Sequence, residues 1–112
     1  MQNSPIEFLK HIIDECYFLQ QENKKLISYD NFLNDEVAKR AYVRSLEIVG
    51  EASKKISADW KLKWRNIPWK EMTGMRDKLI HDYMGVNYKI VWDVAITKVP
   101  KLIEEIELIL ID

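Results

Sequence analysis

From Ile6 to Leu110, apolar side chains return at every third or fourth position, and little interrupts them: the 112 residues include three glycines and three prolines. A fold of many short strands needs turn residues at intervals of roughly eight to twelve positions, and this chain has too few. Apolar recurrence at helical spacing with scarce breakers predicts helices. The expectation is an all-α fold, an up-and-down bundle of four to five helices forming a single domain over residues 1–112. A chain this short closes one hydrophobic core, and burying further surface in an oligomer would help it.

Local signals place the helices. Ser4 as cap, Pro5 at the first helical position and Glu7 three residues after the cap start a helix predicted to run to about Lys25. Its apolar face is wide, with Ile6, Leu9, Ile13 and Cys16 beside Phe8, Ile12 and Leu19. His11 reads as a surface residue paired with Glu15 one turn on. Ile27 to Asn34 is a connector with one helical turn at Asn31 to Leu33. Asn34 or Asp35 then caps a long helix to about Ser57, with Ala38, Ala41, Ser45, Ile48, Val49, Ala52 and Ile56 inward. Gly50 in mid-helix costs up to about 1 kcal/mol relative to alanine, which points to close approach by another backbone.

Ala58 to Ile67 is a short amphipathic segment in which Trp60 and Trp64 alternate with Lys61, Lys63 and Arg65. Tryptophans at i and i+4 more often roof a core than stack bases, and both readings stand. Pro68, with Asn66 or Ile67 at the cap, opens a helix anchored by Trp69, Met72, Met75 and Leu79. Gly85 to Asn87 breaks it, and Asn87 caps the next, whose Ile90, Val91, Val94 and Ile96 turn inward with Trp92. Pro100 predicts a kink or break over Ile96 to Val99, after which Leu102, Ile103, Ile106, Ile109 and Leu110 pack on the first helix.

A net charge of −1 and a pI near 6.1 argue against coating nucleic acid through a global positive field. The distribution is uneven. Eight basic residues face three acidic ones between Lys54 and Lys78, whereas one basic and four acidic residues occupy Lys101 to Asp112. A single cysteine, Cys16, excludes an internal disulfide, and with only His11 and His81 no Cys/His cluster can hold a structural zinc. Met1 to Lys10 lacks a basic-then-apolar leader pattern and no apolar run reaches membrane-spanning length, so the reading is a soluble cytoplasmic protein.

The chemistry gathers in Arg76-Asp77-Lys78-Leu79-Ile80-His81-Asp82-Tyr83. At 100° per residue, Met72, Met75, Leu79 and Tyr83 share a core-facing stripe within about 60°, and Arg76 lies about 40° from its centre. His81 falls on roughly the opposite face, with Asp77 one turn before it. Arg76 and His81 therefore point about 140° apart on one straight helix. They meet at one atom only if the helix ends near His81 or a second copy supplies the missing group.

Arg76, four residues, His81, one residue, Tyr83 resembles the R-x4-H-x-Y signature of the HEPN superfamily, and its surroundings resemble the HepT branch of toxin ribonucleases. Ile48-Val49-Gly50-Glu51-Ala52, Trp69-Lys70-Glu71-Met72, Val91-Trp92 and Pro100 follow in the family's order. The resemblance implies a metal-independent endoribonuclease without cofactors, the toxin of a HepT/MntA pair. It implies a homodimer cutting cellular messenger or transfer RNA. Its antitoxin would be a minimal nucleotidyltransferase (MntA-like) that adds AMP to Tyr83. Arg76 and His81 would be catalytic, with Asp77, Tyr83 and Glu51 supporting them. Lys54, Lys55, Lys63, Arg65 and Lys78 are the RNA-binding candidates of the basic segment. The alternative is a non-catalytic HEPN partner presenting RNA or nucleotide to a nucleotidyltransferase.

Overall fold

The structure, a computed structural model, describes residues 4–111; Met1 and Asp112, which entered the leader and acidic-tail readings, lie outside it. It is all-α. Helices α1 (Pro5–Leu26), α3 (Glu36–Lys55) and α5 (Trp69–His81) are joined by the short α2 (Tyr29–Leu33) and α4 (Ala58–Lys63). A closing rod consists of α6 (Tyr88–Asp93), a π-helical turn (Val94–Lys98) and α7 (Val99–Leu110). The core lies between α1, α3 and the rod, and α5 packs chiefly on α3.

The caps follow their sequence signals. Ser4 Oγ accepts from the Glu7 amide, Asp35 Oδ1 from Ala38 and Asn87 Oδ1 from Ile90, so each satisfies an otherwise orphan helix N–H. Helix α5 starts one residue later than expected. Pro68 stands at its cap position, without a side-chain cap, because Asn66 is exposed and Ile67 is buried in the preceding turn. His11 does not pair with Glu15, which instead accepts from the buried Ser45 hydroxyl at 2.8 Å. Cys16 is fully buried, and burial holds its thiol up at about 12, an unreactive group at neutral pH.

The rod bears out half of the expectation at Pro100: the chain leaves regular α-helix just before the proline, but it does not break there. The helix neither breaks nor ends; it widens for one turn, with the Val99 amide reaching back five residues to the Val94 carbonyl. The next such bond would run from residue 100 to Ala95, but proline has no N–H to give. Asn23 replaces it: its Nδ2 donates to the Ala95 carbonyl at 3.0 Å, while its Oδ1 accepts from the buried Tyr42 hydroxyl at 2.6 Å. Burial also pushes the Tyr42 phenol well above its ordinary range. Ala95 and Val99 are buried, whereas Ile90, which precedes the widened turn, and Ile96 within it are exposed, against the inward positions read from the sequence.

Asn23 thus ties α1, α3 and the rod together through two hydrogen bonds. Asn23→Leu orphans the Ala95 carbonyl and the Tyr42 hydroxyl in the interior and is expected to destabilise the protein by about 2–4 kcal/mol. A urea titration checks it: the midpoint should fall at unchanged slope, and an unmoved midpoint would show that the Asn23 bonds contribute nothing.

Candidate active site

The site begins at the crossing of α3 and α5. A Cβ added at Gly50 would overlap Arg76 Cβ and stand 2.8 Å from the Met72 carbonyl oxygen. Glycine here is what lets α5 lie against the α3 backbone. The contact lays the Arg76 stem across α3, one residue from Glu51 and one turn from Lys54.

There the guanidinium is held by two carboxylates. Arg76 Nη1 donates to Asp77 Oδ1 at 3.0 Å, and Nη2 lies 3.5 Å from Glu51 Oε1. Lys54 Nζ pairs with the same Asp77 oxygen. Lys54 first and Arg76 second hold the Asp77 carboxyl below the usual carboxylate range. Its ionised form is thus favoured by folding, an effect present at neutral pH and lost as pH falls through the depressed value. Arg76 Nε is buried without a partner, so the guanidinium is oriented but not saturated.

Helix α5 stays regular as far as His81, its last residue, and Asp82 closes it by donating its backbone N–H to the Lys78 carbonyl. Its buried face is Trp69, Met72 and Leu79, with Met75 half-buried. His81 is exposed and has no ion pair with Asp77, the carboxylate one turn before it, which is engaged by Lys54 and Arg76 instead. Tyr83 departs further from the reading. Because the helix has already ended, the phenol leaves the core stripe and stands 75% exposed, beside Met84 at 87%.

Of the remaining candidates, Lys55 and Lys78 are exposed. Lys63 and Arg65 lie away from the motif, beyond the opposite end of α5, on a groove with Trp60 and Trp64. The structure therefore brings Arg76, Asp77, Glu51 and Lys54 into one network and sets His81 and Tyr83 at the helix end. Arg76 and His81 still project about 140° apart, since the helix does not unwind between them.

The sequence that builds this clamped arginine and the exposed histidine and tyrosine beyond it matches the family model described as "Ribonuclease HepT-like" over residues 8–109. The chain belongs to the HepT-like ribonuclease family. It is 48% identical over 107 residues to "Putative RNase TTE0752" of Caldanaerobacter subterraneus subsp. tengcongensis, covering 96% of this chain and 95% of that protein. It is 38% identical over 102 residues to "Probable ribonuclease HepT" of Thermococcus cleftensis, covering 91% and 92%. "Putative RNase MJ0127" of Methanocaldococcus jannaschii is 49% identical over 86 residues, 77% of this chain and 71% of that protein. No solved structure matches the chain at a significant level.

Proposed function

We propose that this chain is a dimeric, metal-independent endoribonuclease, the toxin of a pair whose antitoxin is a minimal nucleotidyltransferase. The observation that carries the reading is the regular helix between an oriented, unsaturated guanidinium and an exposed imidazole. On one chain the two side chains leave a regular helix about 140° apart, and a twofold-related copy can set its imidazole opposite the first guanidinium.

The 2′-hydroxyl attacks the adjacent phosphorus, the bond to the 5′-oxygen breaks, and a cyclic phosphate remains on one product. One imidazole takes the hydroxyl proton and the other returns a proton to the departing 5′-oxygen, so the two copies of His81 divide the roles. Arg76 neutralises the charge that builds on the phosphoryl oxygens, and Asp77 and Glu51 fix its plane for a bidentate contact. No metal enters these steps.

Tyr83 is the group on which the antitoxin would act. The exposed phenol oxygen attacks the α-phosphorus of ATP, pyrophosphate leaves, and the resulting AMP ester puts bulk and negative charge where substrate phosphate would lie.

The test is purified protein with total RNA in excess EDTA. Cleavage leaving cyclic phosphate ends is expected, and it should be absent from protein whose Tyr83 has first been AMPylated by a minimal nucleotidyltransferase antitoxin with magnesium and ATP. Intact RNA under these conditions would overturn the nuclease reading. Transfer of AMP without any cleavage would favour the non-catalytic partner.

A further inference from the structure

A second surface is left unused by this chemistry. Helix α4 buries none of its own residues and makes no extensive packing against any other helix, although it carries Trp60 and borders Trp64. Trp64 packs against the edge of the core, as a roofing tryptophan would, whereas Trp60 does not. They form one wall of a groove of about 690 Å³, whose opposite wall is Glu105 and Leu108 of α7. The two indoles lie 4.9 Å apart at 34°, Trp60 is 37% exposed, and Lys63 Nζ stands 4.9 Å over its ring. The Trp64 carbonyl accepts from the Trp69 indole N–H at 3.1 Å, which anchors this wall to the start of α5.

We infer that this groove is a binding subsite for single-stranded RNA, engaging bases several nucleotides from the scissile bond. The inference rests on the ribonuclease reading above. An exposed indole offers a flat face to any base, and Lys63 and Arg65 supply charge for the phosphates that follow. Glu105 can only accept hydrogen bonds, so it suits exocyclic amino groups of bases and keeps phosphates on the basic side. A protein partner fits less well, because the centre of a protein interface is depleted of lysine, and here a lysine stands over the Trp60 ring. The groove and His81 lie at opposite ends of α5, whose 13 residues span about 20 Å. A substrate touching both must therefore be longer than a dinucleotide.

The experiment titrates the intact protein with a 2′-O-methyl octanucleotide, which lacks the attacking hydroxyl, reading tryptophan fluorescence and the anisotropy of a labelled strand. Trp60→Leu is expected to weaken binding about tenfold and to remove most of the quenching. Lys63→Glu should weaken it comparably and flatten its salt dependence, and serves alone if Trp60→Leu misfolds by circular dichroism. KM for long RNA should rise in both variants. Wild-type affinity for the octanucleotide in both variants overturns the groove and leaves the nuclease reading intact. Loss of binding in the variants, with no cleavage by wild type, removes the nuclease and keeps the groove. A wild-type protein that binds no octanucleotide overturns the groove outright.

Discussion

His81→Ala is expected to lower RNA cleavage by roughly 10²–10⁴-fold, the usual contribution of a positioned proton-transfer group, while the fold is untouched. The ring is exposed, ends its helix and has no carboxylate partner among the described residues, so its removal leaves no cavity and orphans no buried group. Any loss of activity is then chemical. The measurement is single-turnover cleavage of a labelled RNA, alongside thermal unfolding of the same preparation. A variant that keeps wild-type activity would sink the mechanism. If the two copies of His81 serve as acid and base, specific activity must also fall on dilution through the dimer dissociation range. Activity constant per chain down to a demonstrated monomer would remove the shared site.

Gly50→Ala is the other large effect, and its cause lies at the crossing. The added methyl meets Arg76 Cβ and the Met72 carbonyl oxygen at distances that helix backbones cannot yield locally, so α5 must move as a body. Overpacking of this kind costs about 1–3 kcal/mol, offset by up to about 1 kcal/mol from alanine's better helix propensity. A net loss of about 1–2 kcal/mol is expected. The rate should suffer more than the stability, because displacing Arg76 by about 1 Å can cost a hundredfold in a site that works by positioning. Gly74→Ala is the control. Gly74 sits on the same α5 with nothing near its missing Cβ, so alanine there should stabilise by about 0.5–1 kcal/mol and leave cleavage alone. Equal behaviour of the two variants would show that the crossing does not set the arginine.

Local signals read well from the chain. The caps Ser4, Asp35 and Asn87, the inner anchors Trp69, Met72 and Leu79, and the close approach at Gly50 all depend on neighbouring residues or on one side chain's volume. The π turn was not legible. Whether a proline breaks a helix or is absorbed by widening it depends on whether a distant group can take the abandoned carbonyl, and Asn23 lies 72 positions away from Ala95. Periodicity likewise put Tyr83 in the core because it assumes the helix continues, whereas the helix stops at His81.

Residue type and spacing by themselves determined that the chain is helical, where its helices begin, and that Arg76, His81 and Tyr83 lie within eight positions of one another. Those properties arise from hydrogen bonds and side-chain volumes a few residues apart. Only the tertiary structure decided which carboxylates hold the guanidinium, that Lys54 joins them, and that Trp60 lines a groove rather than the core. Such pairings depend on how two helices cross, and a crossing angle is set by the whole packed interface rather than by any stretch of sequence.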